Sequence, residues 1–227
     1  MAGEPGRIGP TPSQDPRLRM AVRLVLLGIA VVGIWFIREL RDAAPPPRPQ
    51  VGSAATVLPV PKPLPDFRLT GDDGAPFARE SLEGSWSFVF FGYTNCPSIC
   101  PLTLGAMRDL HGDLATGSPP LDDTQWVFIS VDPARDDPER LQTYVRHFDP
   151  AFRGAMGEPD QLERLTRELG VFHQRTPGGS EAAYDFDHTA SLLLIDPDAQ
   201  LHAVFSPPID PAAAADAFRA IRRAAGS

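Results

Sequence analysis

Two cysteines are all that this 227-residue chain carries, and they stand four apart in the segment FFGYTNCPSICP, Phe90 to Pro101. They are too few and too local to be a disulfide framework holding a small secreted fold together. On a helix, positions i and i+4 share a face, so Cys96 and Cys100 can aim both sulfurs at one point. A helix N-terminus lowers a thiol's pKa through its partial positive charge and free N–H groups. The thiolate it favours is the species that metal binding and disulfide exchange both require. Pro97 suits a first turn, where there is no N–H to lose. Two thiolates are soft donors that select Cu(I), zinc or iron–sulfur chemistry over calcium and magnesium. A closed zinc site wants four ligands, and neither a second cysteine pair nor an HxxxH motif is present to complete one. Copper accepts fewer, so two cysteines and one imidazole would suffice. A plain disulfide is the structural alternative, but a bridge closing so small a loop stabilises little.

The third donor must come from His111, His147, His173, His188 or His202. His111 follows the cysteine helix, and His147 ends another helix, where an imidazolium is favourable without any ligand role. His173 and His202 lie in or beside strand-like stretches with nothing near them to mark a site. His188 sits in YDFDHTASLLLID, on a loop just before a buried strand, and strand ends are where α/β folds place their chemistry. Asp185 and Asp187 are candidates to orient its ring. The residues alone leave His188 an open candidate.

The elements that must position these side chains alternate between short β-rich apolar runs and amphipathic stretches, as in an α/β sheet covered by helices. TGDDG (Thr70 to Gly74) is expected to turn an initial hairpin. SFVFF (Ser87 to Phe91) reads as a buried strand that leads into a helix from about Ser98 to Leu114, so the cysteines fall at a strand-to-helix junction. QWVFISV (Gln125 to Val131) is the next strand. Asp137 to Phe148 is a helix opened by Pro138, and Pro159 to Leu169 is another, with a stripe of Leu162, Leu165 and Leu169 and Gly170 as its cap. SLLLI and LHAVF flank the turn DPDAQ as a hairpin, and an Ala-rich helix ends the chain.

Met20 to Ile37 is apolar apart from Arg23. Its 18 positions rise about 27 Å, enough for the hydrocarbon layer with Arg23 snorkelling. The run passes directly into Arg38, Glu39, Leu40 and Arg41 without a small-x-small cleavage site, which favours an uncleaved anchor over a signal peptide. Arg7, Arg17, Arg19 and Arg23 precede or enter the span, whereas Arg38 and Arg41 are interleaved with Glu39 and Asp42, so the N-terminus is expected inside. The predicted organisation is a cytoplasmic segment over 1–19, an anchor over 20–37, a Pro-rich semi-rigid linker over 38–65 and a folded domain over 66–227. From Asp66 onward there are 13 basic against 25 acidic residues. Such an acidic head gains nothing from counterion release on a phosphate backbone, so nucleic-acid binding is disfavoured.

GSWSFVFFGYTNCPSICP (Gly84 to Pro101), VFISVDPARDDPERLQTYVRHF (Val127 to Phe148) and FDHTASLLLID (Phe186 to Asp196) together resemble the Sco/SenC family of copper proteins that serve cytochrome c oxidase assembly. The resemblance covers Asp66 to about Pro208 and implies a thioredoxin-like fold with a single N-terminal membrane helix. It implies copper, as Cu(I) or Cu(II), on Cys96, Cys100 and His188, with a Cys96–Cys100 disulfide as the alternative state. VDPARDD resembles the family's DPxRD loop, in which Asp132, Pro133, Arg135 and Asp136 would shape the site. Two departures are Asn95, where the family usually has histidine, and Ser98, where aspartate is common. The implied partners are the copper-binding subunit of the oxidase and other copper chaperones or thiol reductants. Apart from the resemblance, a leader that is not transit-like, neither Arg/Ser-rich nor acid-poor, makes a bacterial inner membrane the expected place, and the charge bias puts the head in the periplasm. The implied role is a copper chaperone rather than an enzyme. Competing readings are a thiol–disulfide reductase, with Cys96 attacking because it is nearer the helix start, and a peroxiredoxin-like peroxidase suggested by Thr94. The latter is weakened by the fit of Tyr93 to Pro101 to the copper family.

Overall fold

The computed structural model describes residues 16–42, 51–121, 123–180 and 183–226, in two compact units divided between Pro47 and Arg48. The first unit is one helix, α1 (Pro16–Asp42), with Leu24, Val25, Leu26, Ile29, Val32, Trp35 and Phe36 all exposed. Within it, Arg19–Arg38 is long and apolar enough to be a candidate membrane span. The cytoplasmic segment expected over 1–19 lies largely outside the described residues.

The second unit runs β1 (Thr56–Pro63), β2 (Arg68–Gly71), β3 (Pro76–Ala78), β4 (Trp86–Gly92), α2 (Ile99–Thr116), β5 (Thr124–Ser130), α3 (Pro138–Phe148), β6 (Phe152–Met156) and α4 (Pro159–Leu169). It continues through β7 (His173–Ser180), β8 (Ala183–His188), β9 (Leu192–Ile195), β10 (Gln200–Phe205) and α5 (Pro211–Ala225). Eight strands form one mixed sheet in the order β1-β10-β9-β4-β5-β6-β2-β3, while β7 and β8 form a separate two-stranded sheet. At the centre β4 and β5 run parallel, paired from Trp86↔Thr124 to Gly92↔Ser130. Every residue of β4 is buried, which is why its sequence is apolar without alternation.

Aromatic side chains tie the layers together. Phe88 stacks on Trp126 with centroids 4.8 Å apart and meets Phe218 of α5 edge-on at 5.1 Å. On the helices, α2 packs against α5 and α3. The expected helix signals operate: Asp137 accepts from the Arg140 N–H at the start of α3. Gly170 ends α4 at φ 70°, a left-handed conformation that glycine adopts without a Cβ clash. The predicted hairpins β2–β3 and β9–β10 are both present.

The linker is shorter than expected. Thr56–Pro63 is not a free tether but the outermost strand of the sheet, paired with β10 at Thr56↔Val204, Val57↔Ala203 and Lys62↔Leu201 across an irregularity. Polyproline-type chain is already extended, and an edge strand tolerates Pro59 and Pro61 because one side of its ladder needs no partner. The folded unit therefore begins well before Asp66. Leu64, 5% exposed, belongs to its core. Also unforeseen are β6 and the β7–β8 hairpin, whose polar, Gly-containing sequence HQRTPGGS lacks an apolar period.

A chain that starts at Asp66 should accordingly be less stable in urea than one that starts at Val51. The loss expected is at least about 2 kcal/mol, the scale of burying one leucine. Equal midpoints would show that β1 contributes nothing to the fold.

Candidate metal and thiol site

The site is built where β4 ends. The central strand delivers the chain to Tyr93, a turn returns the Cys96 N–H to the Tyr93 carbonyl at 3.2 Å, and α2 starts at Ile99 after Ser98. Cys100 therefore lies in the first helical turn, whereas Cys96 precedes the helix instead of sharing its face. The sulfurs still converge, because the Cys100 N–H, free at a helix start, donates to Cys96 Sγ at 3.3 Å. Cys100 is fully buried and Cys96 is 8% exposed.

His188 arrives from the other sheet. It ends strand β8 rather than sitting on a loop, and its Nε2 lies 3.3 Å from Cys100 Sγ. Its Nδ1 lies 3.2 Å from the Thr189 carbonyl, which can only accept, so Nδ1 carries the proton and Nε2 turns its lone pair toward the sulfurs. One ligand atom from each of Cys96, Cys100 and His188 falls within 4.8 Å of the others. Asp185 and Asp187 do not orient the ring: Asp185 accepts from the Tyr93 hydroxyl at 3.3 Å, and Asp187 is exposed.

The DPxRD loop holds both arms. Buried Asp136 accepts from the Thr94 N–H at 3.1 Å, from the Thr94 hydroxyl and from Ser130, fixing the segment before Cys96. Buried Asp132 accepts from the Tyr184 hydroxyl at 2.7 Å and from Arg135, whose guanidinium donates to the Tyr184 carbonyl and lies 3.7 Å from the Tyr184 ring centroid. That clamp secures the hairpin bearing His188. Pro133 instead lines a surface groove with Leu69 and Met156. Asn95, at the family's histidine position, is exposed and accepts from Arg140 at 2.8 Å. Ser98 caps α2 by position without a side-chain hydrogen bond.

Among the other histidines, His111 pairs with Asp149 at 2.7 Å and His202 with Asp196 at 3.3 Å, and His147 packs on Phe148. His173 is different: β7 and β8 pair it directly with His188. Burial pushes its pKa down, partly opposed by Glu163. Sequence reasoning missed it, as it missed Tyr93 and Tyr184, since only the pairing across Pro177, Gly178 and Gly179 brings residue 173 beside residue 188.

The electrostatics split the thiols. Cys96 is held well below an ordinary thiol, first because Cys100 donates to it and then through the backbone N–H groups of Cys100 and Ser98, against the opposing effect of burial. Cys100 is pushed up, because its proton is the one shared with Cys96 and because it is buried. A thiolate whose pKa is depressed persists as pH falls. Alkylation of the reduced protein by iodoacetamide should thus modify Cys96 far faster than Cys100, at a rate nearly flat between pH 8 and pH 5; a tenfold fall per pH unit would mean an ordinary thiol. Behind the sulfurs, a Cβ on Gly92 would stand 2.8 Å from Cys100 Sγ and 2.8 Å from the Phe128 ring. Gly92→Ala should cost about 1–3 kcal/mol in urea unfolding through overpacking, and an unchanged midpoint would show that the sulfur has room to move.

The SCO1/SenC family model matches residues 60–223. A SCO2-like protein of Rickettsia conorii is 31% identical over 176 residues, covering 77% of this chain and 84% of that protein. The Bradyrhizobium japonicum ScoI structure with copper bound is 33% identical, with TM-score 0.61, covering 69% of this chain and 98% of that one. The Arabidopsis thaliana ScoI structure with copper bound is 29% identical, with TM-score 0.66 over 70% and 98% of the two chains. A thioredoxin-like α/β head with two cysteines and a histidine meeting at the end of its central strand, matched by the family model over most of its length, places this chain in the SCO1/SenC family.

Proposed function

We propose that the chain is a membrane-tethered copper metallochaperone whose metal ligands are Cys96, Cys100 and His188. The observation that carries this reading is the convergence of two sulfurs and one imidazole nitrogen within 4.8 Å, with the nitrogen's lone pair turned toward them. Two thiolates and an imidazole suit Cu(I) and leave a hard cation such as magnesium badly served. Copper is cargo here, so the site must release it. Cys96, the slightly exposed sulfur with its pKa held low, is the ligand an incoming donor can displace first, while fully buried Cys100 keeps hold until the exchange is complete. The receiver in this reading is the copper-binding subunit of cytochrome c oxidase.

The tether follows from the sequence. The apolar span 20–37 would anchor the chain, the arginines before it would keep residues 1–19 in the cytoplasm, and the head would face the periplasm of a bacterial inner membrane.

A second reading, a dithiol reductase acting on cysteines of the oxidase subunit or another extracytoplasmic protein, is favoured by the unequal thiols. Cys96 has the thiolate character of an attacking nucleophile, and Cys100 lies next to it to resolve the mixed disulfide. The two readings separate on His188, which exchange does not need.

Copper titration of the reduced full-length protein in detergent should give one Cu(I) per chain. Single substitutions Cys96→Ser, Cys100→Ser and His188→Ala should each weaken Cu(I) by at least about tenfold, the scale of losing one charge-assisted ligand. If His188→Ala binds Cu(I) as the unaltered protein does, the ligand assignment is wrong and the dithiol reading stands alone.

A further inference from the structure

We propose that His173 is a second imidazole ligand of this site, recruited when the bound metal is Cu(II), so that the chain offers three donors to Cu(I) and four to Cu(II). The inference rests on the copper-carrier reading above and adds a residue to it.

The register of the hairpin carries it. β7 and β8 run antiparallel, and His173 and His188 are Cα partners in that ladder. Residues directly opposite in an antiparallel pair project to the same face with Cβ atoms roughly 4.5–5.5 Å apart. The face is the one toward the sulfurs: His188 on it reaches Cys100 at 3.3 Å, and Phe186, two residues back on the same strand, packs against Tyr93 at 5.4 Å. The His173 ring lies against Phe186, 6.5 Å between centroids. It is half-buried, and it makes no hydrogen bond with another described residue. A half-buried imidazole with both nitrogens uncommitted, beside a ligating imidazole, is a donor held in reserve.

The metal supplies the reason for two donor sets. Soft Cu(I) is satisfied by thiolates and a single imidazole, whereas Cu(II) favours a tetragonal arrangement of four ligands with nitrogen among them. Cys96, Cys100 and His188 leave Cu(II) one donor short. The movement needed is local, because β7 and β8 belong to no larger sheet. A lone two-stranded ribbon has little to resist a small shift, and its contacts with Asp132, Arg135 and the Tyr93 hydroxyl are made by Tyr184, Asp185 and Phe186 of β8. His173 stands outside the cluster formed by Cys96, Cys100 and His188, so a rotamer change is required to bring its ring to the metal. The competing role is structural, with Glu163 as a charged neighbour of the ring.

The test uses reduced full-length protein in detergent, loaded anaerobically with one equivalent of Cu(II), and counts coordinated imidazoles by pulsed electron paramagnetic resonance. Two imidazoles are expected in the unaltered chain and one in His173→Gln. Cu(II) affinity should fall at least tenfold in that variant, while Cu(I) affinity, measured by chelator competition, moves less than twofold. Glu163→Gln should keep both imidazoles. One imidazole in the unaltered chain, no Cu(II) centre at all, an equal loss of both oxidation states in His173→Gln, or the same loss of an imidazole in Glu163→Gln would each overturn the proposal. The two readings fail separately: if Cys96→Ser and His188→Ala leave Cu(I) binding intact, the carrier reading falls, whereas a silent His173→Gln beside weakened Cys96→Ser sinks only the four-donor set.

Discussion

The Tyr93 hydroxyl accepts from the Phe186 N–H at 3.2 Å and donates to Asp185, joining the strand that ends at the cysteines to a hairpin that belongs to a different sheet. The Tyr93 ring meets both Phe186 and His188 edge-on. Burial pushes the phenol up to about 12, so it stays a neutral donor and acceptor at any physiological pH. Because β8 shares no ladder with β4, side chains make the connection between them, and the Phe90 ring of β4, 5.9 Å from that of His188, adds to the Tyr93 link. The clamp of Asp132, Arg135 and Tyr184 fastens the same hairpin a few residues further from the metal site.

The asymmetry of the two thiols follows from the same architecture. A helix start leaves N–H groups without partners, and here the Cys96 sulfur takes one of them. One proton is thereby shared unequally by two sulfurs, with the thiolate favoured at the slightly exposed Cys96 and the thiol at the fully buried Cys100. That distribution serves ligand exchange and thiol exchange equally well. Chemistry at the sulfurs therefore does not distinguish a copper carrier from a reductase.

Local patterns made much of the fold legible. Unbroken apolar runs such as SFVFF announce buried strands, and Asp137, Pro138 and Gly170 mark helix ends by backbone chemistry that holds in any context. Where the signal is weak, the reading failed in the expected direction. The prolines of Thr56–Pro63 suggest free chain, yet their extended backbone is equally that of an edge strand, and only β10 decides between the two. The β7–β8 hairpin has no hydrophobic period because it lies outside the main sheet, so His188 reads as a loop residue and His173 as nothing.

The sequence by itself determined which donor types this protein owns: two sulfurs four residues apart at a strand-to-helix junction, with an apolar segment long enough to anchor them to a bilayer. Residue identity and short-range spacing suffice for that, since both act through a single backbone element. Only the tertiary structure decided that Cys96 lies outside the helix, that Thr189 rather than an aspartate orients His188, and that His173 stands beside it. These depend on pairings between segments far apart along the chain. Such contacts are set by how whole elements pack, and no local pattern encodes them.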